Sequence, residues 1–383
     1  MQLSGEDLLK LNVMMAQDVR AVRIDENRMQ VFGLTEDGEA RLDLNPTGQN
    51  EQYVRLVREF LSGHVFGSPG GYPVFISRWT RMGQAKDENL QQFLMLGEPE
   101  AVVAVVHASG LTPELGHCAW WCMPESENAR RMLEKESVVK SDLGPVLAEH
   151  LYEHLAFETE PRPMIESVRL MLQPTLIDAD KQEKLWRTSQ RKNAYLVGFL
   201  QALPDTLPHE QLAHPLYAEI AHHLVSYKDN PYAEAMLWLV SKAGQGYLHT
   251  AYTVFKKPAN QDVVVYLLDT LQEKLAGILP VPMSEYPREV ERISDLSDAL
   301  IDTSSVDYMR SEEQWKMLLK DLGDDRVIQL LYSMMWLSQI SEAIVGAIFA
   351  QTTAEGTLMR KKLKPVTDPI FDHFDRLLGK LPL

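Results

Sequence analysis

A succession of amphipathic stretches beyond residue 143 constrains the fold more than any other feature of the chain. In "QDVVVYLLDTLQEKLAGI", Val263, Leu267, Leu271, Leu275 and Ile278 recur every three or four residues with polar residues opposite. That is the period of a helix burying one face. "GPVLAEHLYEHLAF", "PMIESVRLMLQPTLI", "KNAYLVGFLQAL", "HPLYAEIAHHLVSY", "PYAEAMLWLVSKA" and "VIQLLYSMMWLSQISEAIVGAIFA" carry the same kind of pattern, most of them bounded by Pro, Asp or Asn. Helices of this length with short connections pack as antiparallel hairpins.

The N-terminal part reads differently. "LLKLNVMMA" predicts a short helix, and "VRAVRI", "RMQVFGL" and "EARLDL" are β-favouring runs separated by the turn-rich "DEN" and "TEDG". "NEQYVRLVREFLSG" returns to helical spacing, and "GSPGGYPVFISRW" turns and extends, since Pro69 and Pro73 oppose a helix while Val74, Phe75 and Ile76 favour a strand. The expected class is therefore α+β, predominantly α. A small antiparallel α+β domain over 1–95 precedes an all-helical domain over 96–383, with an internal break near 280–290 at the three prolines of "GILPVPMSEYPREVE". Stacked hairpins would form an irregular solenoid like HEAT or tetratricopeptide arrays. No fixed repeat period is present, so a globular bundle satisfies the pattern as well.

Charge and motif content narrow the function classes. The 383 residues carry a formal charge of −16, a field that repels nucleic acid and anionic membranes, so RNA binding is disfavoured without a local basic patch. Two cysteines make no disulfide framework, which favours a reducing compartment. The N-terminal "MQLSGEDLLKLNVMMAQDVRAVRID" lacks a basic stretch followed by an unbroken apolar one and does not read as a secretory signal. The most apolar segment is interrupted by Gln329, Gln339 and Glu342, so it reads as a core helix and not a membrane span. The expectation is a soluble cytoplasmic protein. "GSPGG" is no Walker loop, because no Lys-Ser/Thr follows it, and neither G-x-S-x-G nor G-x-G-x-x-G occurs. With no catalytic or cofactor fingerprint, the chain is expected to be no enzyme and to need no cofactor.

Both cysteines lie in "HCAWWCMPESENARRML". Thr112 can cap a helix there and Pro113 suits its first turn. Leu115, Cys118, Ala119 and Cys122 then fall on one apolar stripe, and buried cysteine packs as a small hydrophobe. A bridge between them is disfavoured, because helical neighbours four apart hold their Cβ atoms about 5–6 Å apart while a disulfide wants roughly 3.5–4.5 Å. The alternatives are a reactive or sulfur-carrying thiol at Cys118 or Cys122 and a metal half-site, which would require two ligands from elsewhere. "HLYEH", His150 to His154, matches a short metalloprotease string without its structural context. Its histidines fall opposite the apolar face, where a solvated stripe is expected.

Arg78, Trp79 and Arg81 in "ISRWTRMGQAK", together with Arg130 and Arg131 in "NARRMLEK", are the candidate partner-binding surface, since arginine beside an exposed aromatic is a common composition of protein hot spots. The further basic run "MRKKLKP" has the character of a solvated helix end.

"GSPGGYPVFISRWTRMGQAKDENLQQFLMLGEPEAVVAVVHASGLT", "AWWCMPESENARRMLE" and "KNAYLVGFLQALPD" resemble the DsrS family, cytoplasmic accessory proteins encoded with the reverse dissimilatory sulfite reductase of sulfur-oxidising bacteria. "LKLNVMMAQDVRAVRIDENRMQVFGLTEDGEA" is similar to it too. The resemblance implies a protein that supports sulfur oxidation through protein partners of that system, by affecting the level or assembly of its enzymes. It assigns no active-site residue, and no role to Cys118 or Cys122.

Overall fold

Ser4 starts the first helix: its hydroxyl accepts the Asp7 N–H at 3.0 Å, and α1 (Gly5–Met15) runs from there. In the computed structural model, which describes residues 2–67, 89–209, 211–227, 229–283, 285–322 and 324–381, three strands follow. β1 (Ala21–Asp25), β2 (Gln30–Thr35) and β3 (Gly38–Asp43) form an antiparallel meander in the order β1-β2-β3. Thr35 pairs with Gly38 across a two-residue turn, and Gly38 takes the φ of +130° that side-chain-bearing residues avoid. α2 (Asn50–Phe66) presents Tyr53, Val54, Val57 and Leu61 to Leu11, Met14, Val22, Val31 and Leu42, and these form one core cluster. Asp7 is buried at its edge. It accepts hydrogen bonds from the Tyr53 hydroxyl at 2.6 Å and the Asn45 N–H at 2.8 Å. Burial alone would raise its carboxyl, but these bonds outweigh that and hold it below the usual range.

The described chain forms two compact units, one of Met1–Phe157 with Gln173–Ile177 and one of Glu158–Leu172 with Asp178–Leu383. The first unit continues past the sheet with α3 (Leu90–Leu94), α4 (Pro99–His107), α5 (Pro113–Cys122), α6 (Ser126–Leu133), α7 (Glu136–Val139) and α8 (Leu143–His154). The sequence-based boundary at residue 95 falls inside this unit. α3 and α5 pack directly against β1, so helices that look independent in sequence belong to the core of the sheet. The strand expected at Val74–Ile76 lies outside the described residues.

The second unit contains α9 (Pro161–Met171), α10 (Ala179–Ser189), α11 (Asn193–Ala202), α12 (Tyr217–Leu224), α13 (Pro231–Val240), α14 (Lys242–Lys256) and α15 (Gln261–Leu275). α16 (Val290–Ile301), α17 (Val306–Arg310), α18 (Glu313–Asp321), α19 (Asp325–Ser338), α20 (Ala343–Phe349) and α21 (Gly356–Leu377) complete it. Gly198 lets α11 approach α9 closely, since a Cβ there would lie 2.7 Å from Val168 Cβ. α9 also packs on α15, and α14 on α21, across long sequence separations. A solenoid repeat touches only its neighbours, so this unit is a bundle. The proline-rich stretch near 280–290 is a connection inside it, where the Pro280 carbonyl accepts the Glu312 N–H at 3.1 Å. The chain is thus α+β and predominantly α, with a three-stranded sheet ahead of many helices. No helix among the described residues is long and apolar enough to cross a membrane.

Two helices depart from the sequence expectation. The apolar stretch from Val327 splits into α19 and α20, and Gln339, fully buried, donates from Nε2 to Ser297 Oγ at 2.7 Å near the break. α21 runs through Pro365 and Pro369, where "MRKKLKP" reads in sequence as a helix end. Each interior proline costs a helix about 3 kcal/mol relative to alanine. Leu363, Val366, Ile370, Phe374 and Leu377 are all buried, and at roughly 1.5–3 kcal/mol apiece their burial outweighs both prolines.

Candidate functional site

The cysteines sit where the apolar stripe puts them. Thr112 Oγ1 accepts the Leu115 N–H at 3.3 Å, Pro113 opens α5, and Cys118 and Cys122 face inward at 7% and 9% exposure. The Cys122 thiol points at the Val22 carbonyl on β1, 3.6 Å away. Burial pushes this thiol up to about 12, the neighbouring Cys118 adding to the shift and Arg23 opposing it. Burial also raises Cys118, against the Arg20 charge and the Gln91 side chain. A thiolate is the species that attacks or carries sulfur, and this packing suppresses it.

Arg78, Trp79 and Arg81 lie outside the described residues. Arg130 and Arg131 lie on α6 and do not form an open cationic face. Arg130 is only 5% exposed and bonds Glu127 Oε2 at 2.8 Å. Arg131 reaches Glu127 at 3.1 Å and Glu134 at 3.3 Å. The correction follows from helix geometry: Glu127 stands three and four positions from the two arginines, and Glu134 three from Arg131, where side chains meet. Position 130, moreover, faces the interior.

Of the two "HLYEH" histidines His154 is exposed, as its position on the polar face suggests, and His150 is less so. His150 is half-buried under the edge of Trp120, with ring centroids 4.8 Å apart, and its Nε2 lies 3.3 Å from Ser126 Oγ. His154 stacks on it at 3.9 Å. Burial, and then the His154 charge, lower the His150 pKa. Among the described residues no group of three His, Cys, Asp or Glu side chains is arranged to hold a metal ion. In the second unit His373 is buried, stacks on Trp336 at 4.3 Å and has its Nδ1 3.1 Å from Ser333 Oγ. Burial, and then the Arg376 charge, push it down to about 3. The Arg376 guanidinium also approaches Nδ1, at 3.4 Å, so that atom accepts from Arg376 and Ser333 alike. The hydroxyl is fully buried, and the imidazole is engaged as an acceptor and not poised as a base.

The arrangement with open chemistry is a cleft in the second unit, of about 160 Å³, between the C-terminal end of α14, the start of α15 and the middle of α21. Phe255, Val264 and Leu363 supply its apolar walls, and Lys256, Arg360 and Lys364 border it. None of these three cations makes an ion pair among the described residues; Arg360 instead donates to Thr357 Oγ1 at 3.0 Å. Nearby Lys380 is spent, lying 3.6 Å from the Tyr252 ring centre and 3.2 Å from Asp375. Asp368 also lines the cleft. Arg360, Lys364 and Asp368 share one face of α21 at four-residue spacing. Lys362, elsewhere on the same helix, borders a shallow depression with Ala347, Ile348 and Gln351.

The basic run is visible in the sequence but this site is not, because Lys256 and most of the walls come from segments a hundred residues away. The available signal is the two prolines: a helix that continues through them must be held by packing, so the lysines before them sit on a fixed element. No family model, curated protein or solved structure matches the chain.

Proposed function

We propose that the chain is a non-enzymatic cytoplasmic accessory or regulatory protein of bacterial dissimilatory sulfur oxidation, acting through surfaces that bind other proteins. The likeness of its sequence to the DsrS family supplies the biological setting. The observation that carries the binding role is the cleft bordered by Lys256, Arg360 and Lys364, three cations without ion pairs among the described residues of a chain whose formal charge is −16. A chain rich in carboxylates can quench its cations internally, and cations left open beside apolar walls suit an acidic partner. The test is affinity capture with the intact chain from a sulfur-oxidising cell at physiological salt. The expected result is specific, reciprocal recovery of a component of the sulfur-oxidation system. Failure to recover any specific partner, with sulfur oxidation unchanged when the chain is removed, overturns the reading.

The alternative is a persulfide carrier using Cys118 or Cys122. Their burial and raised thiol pKa argue against it. Rapid alkylation of either thiol in the folded protein would restore that reading.

A further inference from the structure

We infer that the cleft between α14 and α21 receives a short acidic segment of a partner protein, with one apolar side chain seated against the half-buried Phe371 and carboxylates beside Lys256, Arg360 and Lys364. The inference rests on the binding role proposed above and gives it a place and a chemistry.

Size selects the kind of occupant. Pockets that engulf small molecules run to about 300–1,000 Å³, and this cleft holds about 160 Å³. It can seat one leucine- or phenylalanine-sized anchor whose neighbours lie along the surface. Charge selects the neighbours. Three cations border the anchor position without ion pairs among the described residues, and Asp368 lies one helical turn beyond Lys364. The site is therefore polarised, with its acid-accepting end at Arg360 and Lys364. A nucleic acid fits less well, because three cations neutralise few phosphates while the carboxylates elsewhere on the chain repel the rest of the polymer.

The elements around the cleft are fixed before any partner arrives. Leu363 and Val264 are buried in the bundle, and Thr367 Oγ1 donates to the Leu363 carbonyl at 3.2 Å within α21. Pro365 and Pro369 lack the N–H groups that would bond the Lys361 and Pro365 carbonyls. Tertiary packing, not the backbone ladder alone, therefore holds this stretch of α21.

The experiment uses the full chain and fluorescence anisotropy. The probe is a fluorescein-labelled nonapeptide of Asp and Glu residues around a central Leu. Saturable binding is expected, weakened at least about tenfold by the double variant R360E/K364E and also weakened by K256E and by added salt, since exposed ion pairing is screened. Replacing the central Leu of the probe by Ser should cost about tenfold as well, the order of a lost apolar anchor. Asp368→Asn should tighten binding roughly two- to threefold by removing a like charge, and Lys361→Glu, which does not line the cleft, should change it by less than about twofold. Circular dichroism unchanged from the parent establishes that the exposed substitutions leave the fold intact. Equal affinity of R360E/K364E and the parent, or displacement of the probe by a single-stranded oligonucleotide that binds more tightly, overturns the assignment. Capture of the same cellular partner by R360E/K364E would sink the cleft but leave the accessory role standing. A probe that discriminates as expected with no cellular partner captured would do the reverse.

Discussion

"NARRMLEK" on α6 and "MRKKLKP" on α21 are similar strings, each a cluster of cations on a helix, and they come to opposite ends. On α6 the carboxylates at Glu127 and Glu134 stand within a helical turn of Arg131, and Glu127 also holds Arg130, so the positive charge is closed off. On α21 Arg360 and Lys364 make no ion pair among the described residues, although Asp368 stands four positions beyond Lys364, and they border a cleft instead. The same contrast extends to the thiols and Asp7, whose polar atoms the first unit buries and satisfies. What matters for binding is which charges the helix leaves unanswered, not how many it carries.

That contrast can be broken first at the thiols. If the first unit is closed, Cys118 and Cys122 should react with a small alkylating reagent at least about a thousandfold more slowly than in the unfolded chain, the ratio set by a typical folding free energy. Native-state labelling at an ordinary thiol rate would undo it.

The next break is by acid. His373 is lowered from 6.5 to about 3, so between those values the unfolded chain binds a proton the folded one refuses. The contribution of His373 to the second unit is fully present above about pH 6.5 and falls on acidification toward pH 3, by on the order of a few kcal/mol in all. Asp269 runs the other way. Burial first, then the Glu342 and Glu273 charges, raise it from 3.8 to about 6, so its contribution falls as pH rises through that window. Between about pH 6 and 3.8 the two slopes oppose each other and nearly cancel, so the His373 loss stands alone only from pH 6.5 to 6 and below 3.8. In the first unit Asp7 is lowered, so its contribution is present above its ordinary 3.8 and lost only below that. With Asp269→Asn removing the opposing contribution, urea melts at pH 7, 5 and 4 should show the second unit weakening on acidification, and adding His373→Phe should flatten that dependence. A pH-independent midpoint for the second unit of Asp269→Asn would contradict the buried neutral imidazole.

The third test sets the two basic clusters against each other. Arg130→Ala should destabilise the chain by about 1–3 kcal/mol, less than a fully buried pair because Glu127 remains half in water. Arg360→Ala and Lys364→Ala should each change stability by less than about 0.5 kcal/mol while weakening acidic-peptide binding. Equal stability losses from both clusters would mean that the α21 cations also serve the fold.

Much of the architecture is legible in the sequence. The three strands, α1, α2, the Thr112 cap and the inward stripe of Cys118, Ala119 and Cys122 follow from periodicity and capping chemistry, which act over a few residues. The boundary at residue 95 does not, because α3 and α5 belong with β1, and no local pattern records which helix covers which sheet. Arg130 reads as surface because arginine usually is, and only the packing of α6 shows it buried. The continuation of α21 through Pro365 and Pro369 likewise depends on five apolar residues finding partners on α14, α19 and α20.

By itself, then, the sequence determined the kinds of element, their order and the inward stripe that holds the cysteines, since backbone sterics and apolar spacing operate within a turn or two of chain. Only the tertiary structure decided that Lys256 meets Arg360 and Lys364 around Phe255, Val264 and Leu363. Those two stretches of chain lie a hundred positions apart, and what joins them is the burial of faces on different helices, a preference for partners that hydrophobic spacing creates but does not direct.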